Sequence, residues 1–200
     1  MSTDLEKQSV VSGVEKISVL TLPKKGDRRL CSNYRTIALI PHASKILLRI
    51  IQGRLATYTE REISEEQAGF RKGRGSRDQI ANIRWIVERA MEHGKTIFMC
   101  FIDYSKAFDC AAHSRLWDTL RSMGVQEHLI VLIKGLYTKQ EAKVRMEYGN
   151  AEWFELSKGV RQGCFLSPYL YILYGEYILR RVGFEDSIGI KVGGRTINNL

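Results

Sequence analysis

The chain lacks any apolar run long enough to cross a bilayer, and its first residues, Met1 to Val11, carry no signal-peptide apolar core. A cytoplasmic or nuclear location without a membrane partner is therefore expected. Cysteine is scarce: Cys31, Cys100, Cys110 and Cys164 stand far apart, with no Cys-x-x-Cys pair and no Cys/His ligand spacing. Neither a disulfide framework nor a zinc site is supported, and Cys100, inside an apolar run, reads as a buried small hydrophobe. Repeats, low-complexity tracts and an obvious interdomain linker are missing as well. Acid is short relative to base, with 22 Asp and Glu against 31 Lys and Arg, which leaves a net charge of +9. An excess of that size suits a polyanion, nucleic acid being the commonest, or else a merely soluble basic surface.

What is present is the material of an ordinary globular protein. The 200 residues are 44% hydrophobic and 26% charged, enough for one sizeable domain or two small lobes sharing a core. Ile17 to Leu22 and Tyr34 to Ile40 read as strands on either side of a charged turn at Pro23 to Asp27. Ile46, Leu47, Ile50, Ile51 and Leu55 recur at helical spacing after Pro41. A glycine-spaced basic loop, Glu66 to Gly75, leads to a capping box formed by Ser76 and Gln79. That box opens a helix with Ile80, Ile83, Ile86, Val87, Ala90 and Met91 on its apolar face. Leu116, Trp117 and Leu120, then Leu129 to Leu136, place two further helices broken at Gly124. Alternation over Ala142 to Glu147 and Trp153 to Leu156 predicts a hairpin. Ser167 and Pro168 start a helix reaching about Val182. Gly193-Gly194 reads as the turn of a last hairpin over Ile188 to Leu200.

Chemistry concentrates in a few places. Ile97 to Ile102 is continuously apolar, the pattern of a strand buried on both faces, and it puts Asp103 at the strand's C-terminal tip. A carboxylate on a rigid strand end can hold a divalent cation, although an isolated Asp more often caps a turn. Asp109, six residues on, reads as a cap for the helix near His113 to Met123, and His113 itself reads as structural.

Three segments taken together resemble the reverse transcriptases of non-LTR, LINE-type retrotransposons. They are Phe101-Ile102-Asp103-Tyr104-Ser105-Lys106-Ala107-Phe108-Asp109, Gly159 to Pro168 with its Arg161-Gln162-Gly163, and Asn33 to Leu39. The match runs from about Ile17 to Leu200. The resemblance implies an α/β fold of the right-hand polymerase type: fingers over residues 16–96 and part of the palm over 97–200, after a frayed 1–15, with the thumb absent. It implies RNA-directed DNA synthesis, the transfer of a nucleotide from a dNTP to a primer 3′-hydroxyl through two Mg²⁺ or Mn²⁺ ions. RNA template and DNA primer are the implied partners.

Residue by residue, Asp103 would be the catalytic metal ligand, helped by the backbone carbonyl of Tyr104. Lys25 and Arg35 would grip the triphosphate, with Lys24 an alternative to Lys25. Ala107 and Phe108 would lie at the nucleotide, Phe108 as the aromatic gate that excludes a ribose 2′-hydroxyl. Gln162 would face the incoming nucleotide, and Gly163, Arg71 and Arg74 the template. The family's second metal-binding element, a Tyr-Ala-Asp-Asp hairpin, is expected directly after Arg195 to Leu200. These 200 residues alone are therefore expected to be inactive. Ala112 and Tyr171-Ile172 depart from the family's usual pattern. The alternative reading is a non-catalytic, nucleic-acid-binding remnant.

Overall fold

The computed structural model describes residues 16–146, 149–182, 189–192 and 194–197; the expectation of a frayed 1–15 lies outside them. The sequence's alternation starts the sheet. In β1 (Lys16–Pro23) Ile17 and Val19 point to the buried side, as a period of two requires. The charged turn after Pro23 returns the chain as β2 (Tyr34–Leu39), antiparallel to β1 with Ser18 opposite Leu39 and Leu22 opposite Arg35. On its other edge β1 pairs in parallel with β3 (Glu141–Met146), Ile17 opposite Ala142. β3 is extended by β4 (Gly149–Asn150) and β5 (Phe154–Glu155), both antiparallel to it. The expected hairpin is thus present, with Gly149 and Asn150 inside the pairing instead of the turn.

Between β2 and β3 the chain makes helices α1 (His42–Glu62), α2 (Ser76–Glu92), a four-residue helix α3 (Ala107–Cys110), α4 (His113–Ser122) and α5 (Glu127–Tyr137). α6 (Ser167–Val182) follows the sheet, and β6 (Ile190–Val192) with β7 (Arg195–Ile197) forms the last hairpin. The architecture is a mixed α/β one. Its main core lies among α1, α4, α5 and α6, where Leu48, Leu55, Leu120, Ile130, Ile133 and Leu173 are fully enclosed. Parallel pairing of β1 with β3 joins residues from both sides of position 96 in one sheet.

Several expectations are corrected by packing. On α1 the buried stripe runs through Leu48, Ile51, Gln52, Leu55 and Thr59, so Ile46 and Ile50 face outward. On α2 only Ile86 is buried, while Ile80 and Met91 are exposed. The capping box expected at Ser76 is not formed: the N-cap is Gly75, which has no side chain to accept, and only its amide is capped, donating to Asp78 Oδ2 at 2.8 Å. Ile97 to Ile102 is neither a strand nor buried; Phe98 is 93% and Phe101 78% exposed, and Cys100 is exposed too. A strand needs partners for its amides and carbonyls, and no described segment pairs with this one. Apolar pattern reports a tendency to be buried, not the surface that does the burying.

Candidate active site

Two loops from distant parts of the chain are locked together beside β2. The first carries Asp103 and Tyr104, both exposed, and then enters α3 through Lys106 in a left-handed conformation (φ 51°, ψ 45°). The second is the Gly159 to Gly163 segment. Val160 donates its amide to the Phe108 carbonyl at 2.7 Å, and Gly159 donates to Ala111 at 2.7 Å. The approach is possible because Gly159 has φ +91° and no side chain: a Cβ there would lie 3.0 Å from the Asp109 carbonyl oxygen. His113 Nε2 donates to the Gly159 carbonyl at 2.8 Å, which agrees with a structural reading of that histidine.

Gln162 closes the junction. Its Nε2 donates to Asp109 Oδ1 at 3.2 Å, and its carbonyl accepts the Ala38 amide of β2 at 2.9 Å. Asp109 therefore does not cap α4, whose N-terminus has no side-chain cap at all; α3 intervenes and turns the carboxylate toward Gln162. Gly163, at φ +92°, sits against Ile37, which a Cβ would approach to 3.2 Å. Beneath Asp109 and Gln162 opens a cleft of about 410 Å³, floored by Ile17, Val19, Ala142 and Phe154. Arg35, exposed on β2, and Lys25, exposed in the turn after β1, belong to the same sheet edge. The structure thus brings together Ala107, Phe108, Gln162, Gly163 and the β2 backbone.

Arg161, which sequence reasoning treated only as part of a motif, has a role of its own. It is buried, 6% exposed, and donates from Nη2 to the Leu136 carbonyl at the end of α5. Its guanidinium lies 5.0 Å from the Tyr137 ring centre. Burial pushes the guanidinium pKa down, partly offset by Tyr137 and Cys164. Burial likewise raises the Tyr137 phenol to about 12, opposed by the Arg161 charge. A cation inside an aromatic wall anchors the loop from within and leaves Gln162 to face outward. The only sequence signal for it was an Arg flanked by Val160 and a glycine loop, which surface arginines share.

The basic loop is anchored by Arg71. Its side chain is only 10% exposed, donating to the Ser64 carbonyl at 2.8 Å and the Gln67 carbonyl at 3.3 Å, and pairing with Glu60 at 3.2 Å. Lys72 and Arg74 are exposed. From the same loop Phe70 reaches Phe108, ring centres 6.0 Å apart, and Phe108 meets Tyr171 of α6 at 5.0 Å. Tyr171 has its pKa raised, by burial first and by nearby Tyr104 second.

As a metal site the donors are right in kind but short in number. Asp103 and the Tyr104 carbonyl are hard oxygens of the sort Mg²⁺ accepts. Among the described residues, however, no cluster of three or more His, Cys, Asp or Glu is gathered anywhere. These residues by themselves do not complete a divalent-cation site. Among the described residues, too, no helix is long and apolar enough to cross a membrane.

Comparison with known proteins bears on the same segments. The sequence profile of the family described as Reverse transcriptase (RNA-dependent DNA polymerase) matches residues 22–186. The Transposon TX1 uncharacterized 149 kDa protein of Xenopus laevis is 32% identical over 158 residues, 79% of this chain and 12% of that protein. The Retrovirus-related Pol polyprotein from type-2 retrotransposable element R2DM of Drosophila melanogaster is 27% identical over 179 residues, 88% of this chain and 16% of its own. The RNA-directed DNA polymerase from mobile element jockey of Drosophila funebris is 29% identical over 160 residues, 78% of this chain and 17% of its own. The chain thus spans less than a fifth of the length of these relatives.

Proposed function

We propose, because this chain belongs to the reverse transcriptase (RNA-dependent DNA polymerase) family, that it works as nucleotide-binding and template-binding polymerase domain of a non-LTR retrotransposon protein. In this reading it serves RNA-directed DNA synthesis, joining a dNTP to the 3′-hydroxyl of a DNA primer on an RNA template, in the nucleus or cytoplasm. The observation that supports it most is the junction at Asp109 and Gln162. Two motifs far apart in sequence meet beside β2, where one nucleotide could touch both.

Each residue then has a task. Gln162, with its Nε2 directed to Asp109, turns its amide oxygen and remaining N–H toward the nucleotide, while Gly163 lets a template base approach the backbone. Phe108 stands where a ribose 2′-hydroxyl would have to go. Lys25 and Arg35 attract the triphosphate, Arg35 with the fork geometry that suits phosphate. Arg74 meets template phosphate, and Arg71 holds the loop that presents it. Asp103 and the Tyr104 carbonyl would contribute oxygens to Mg²⁺ or Mn²⁺, which would neutralise the triphosphate charge; further ligands are required to complete such a site.

Primer extension on an RNA template by a polypeptide containing this chain tests the reading. DNA synthesis that Asp103→Asn abolishes is expected. Product formation indifferent to Asp103→Asn, or the absence of any extension, would count against it and favour a nucleic-acid-binding role without catalysis.

A further inference from the structure

Phe70 lies in the basic loop at φ 57°, a left-handed conformation that bulky L residues seldom adopt. It is also 61% exposed. Glycines stand at 69, 73 and 75 of the same loop, so a residue better suited to a left-handed turn is available nearby in composition. The contact that Phe70 gains in return is with Phe108: an edge-to-face pair with ring planes at 71°. On its other side Phe108 tilts at 46° against Tyr171. Phe108 is thus held between a ring from the loop and a ring from α6. The loop itself is not free to retreat, because Arg71, the next residue, is bonded to Ser64, Gln67 and Glu60.

Resting on the reading of Phe108 as the ribose gate, we infer that Phe70 is a specificity-determining residue for the sugar. A ring excludes a 2′-hydroxyl only if it cannot yield when pushed. Tyr171 blocks retreat toward the core, and Phe70 blocks it on the loop side. Removing Phe70 opens a space into which Phe108 can turn, so the ribonucleotide is admitted while the deoxynucleotide, which never pressed on the ring, is bound as before. The selective effect on one sugar separates this role from general support of the fold.

The test is equilibrium binding of dATP and ATP, with Mg²⁺ and an RNA template annealed to a primer ending in a dideoxynucleotide, to a polypeptide that contains this chain together with the ligands that complete its metal site. Circular dichroism melting of each variant serves as the folding control. Wild type is expected to prefer dATP. Phe70→Ala and the less drastic Phe70→Leu, whose side chain is smaller than the ring and also leaves space beside Phe108, should lower the dATP:ATP affinity ratio by about threefold to tenfold, the range of an aromatic pair. Affinity for dATP should stay within about twofold, a shift too small to signal lost binding energy. Phe108→Ala should lower the ratio at least as far, and adding Phe70→Ala to it should do nothing more. If Phe108→Ala lowers the ratio but both Phe70 variants keep the wild-type value, or weaken both nucleotides equally, the inference about Phe70 is overturned alone. If wild type shows no sugar preference, or binds neither nucleotide, the gate reading of Phe108 fails, and the inference falls with it.

Discussion

Asp109 and Gln162 are 53 residues apart in sequence and 3.2 Å apart in space, and their side-chain hydrogen bond adds to the backbone bonds that already join the two loops. A half-buried bond to a carboxylate contributes on the order of 1 kcal/mol, and its partner amide loses more if left unpaired. A double-mutant cycle of Asp109→Ala with Gln162→Ala, read by urea unfolding, should give a coupling energy of about 1 kcal/mol. Additive effects would mean the pair contributes nothing to stability. Tyr137 gives a second prediction at this scale. Its folded pKa is raised to about 12 from an ordinary value near 10, so the unfolded chain releases the proton first. Stability from this group is complete below about pH 10 and is lost as pH climbs to about 12, by roughly 2 kcal/mol. Tyr137→Phe should flatten that alkaline loss; an unchanged pH profile would assign it to other groups. Neither feature was legible from the residues. A reading of sequence assigns Asp109 to the nearest helix, because local partners are the only ones it displays.

Helices and loops carry the next level. Gly159 allows α3 and the Arg161 loop to touch, and Gly159→Ala places a Cβ 3.0–3.1 Å from the backbone of Phe108 and Asp109 at a strained φ. The expected cost is about 2–3 kcal/mol by thermal or urea unfolding, well above the typical surface substitution. A loss below about 0.5 kcal/mol would show that the loops part without penalty. Arg71 fastens the loop from 66 to 75 to the end of α1 through two carbonyls and Glu60. Arg71→Ala should raise amide exchange in that loop by about tenfold or more while leaving α5 protected, since local opening is set by local contacts. Uniform change across the chain would instead mean that Arg71 supports the whole fold. Helix positions at this scale were well marked by spacing, but their buried faces were not. Ile46 and Ile50 are as apolar as Ile51, and only the helices packed against α1 decide which of them is covered.

For the whole molecule, the net charge of +9 is a long-range property, and it makes its own prediction. Binding of the 200-residue chain to an RNA–DNA hybrid, followed by fluorescence anisotropy, should weaken steeply with salt. Each neutralised phosphate releases counterions, and a log–log slope steeper than about −2 is expected for contacts at several phosphates. Binding that ignores salt, or fails at low salt, would remove phosphate contacts from the picture. Sequence by itself determined the order of most elements, the strand at Ile97 to Ile102 and the short α3 excepted, and with it the residues able to pair in β1 and β2, the basic balance, and the family, because these follow from period, composition and motif. Tertiary structure alone decided that the Ile97 to Ile102 run stays exposed, that Asp109 serves Gln162, and that Arg161 turns inward onto Tyr137. Each of these depends on which surface lies opposite, and burial is a property of pairs of surfaces brought together by the fold, not of one stretch of chain.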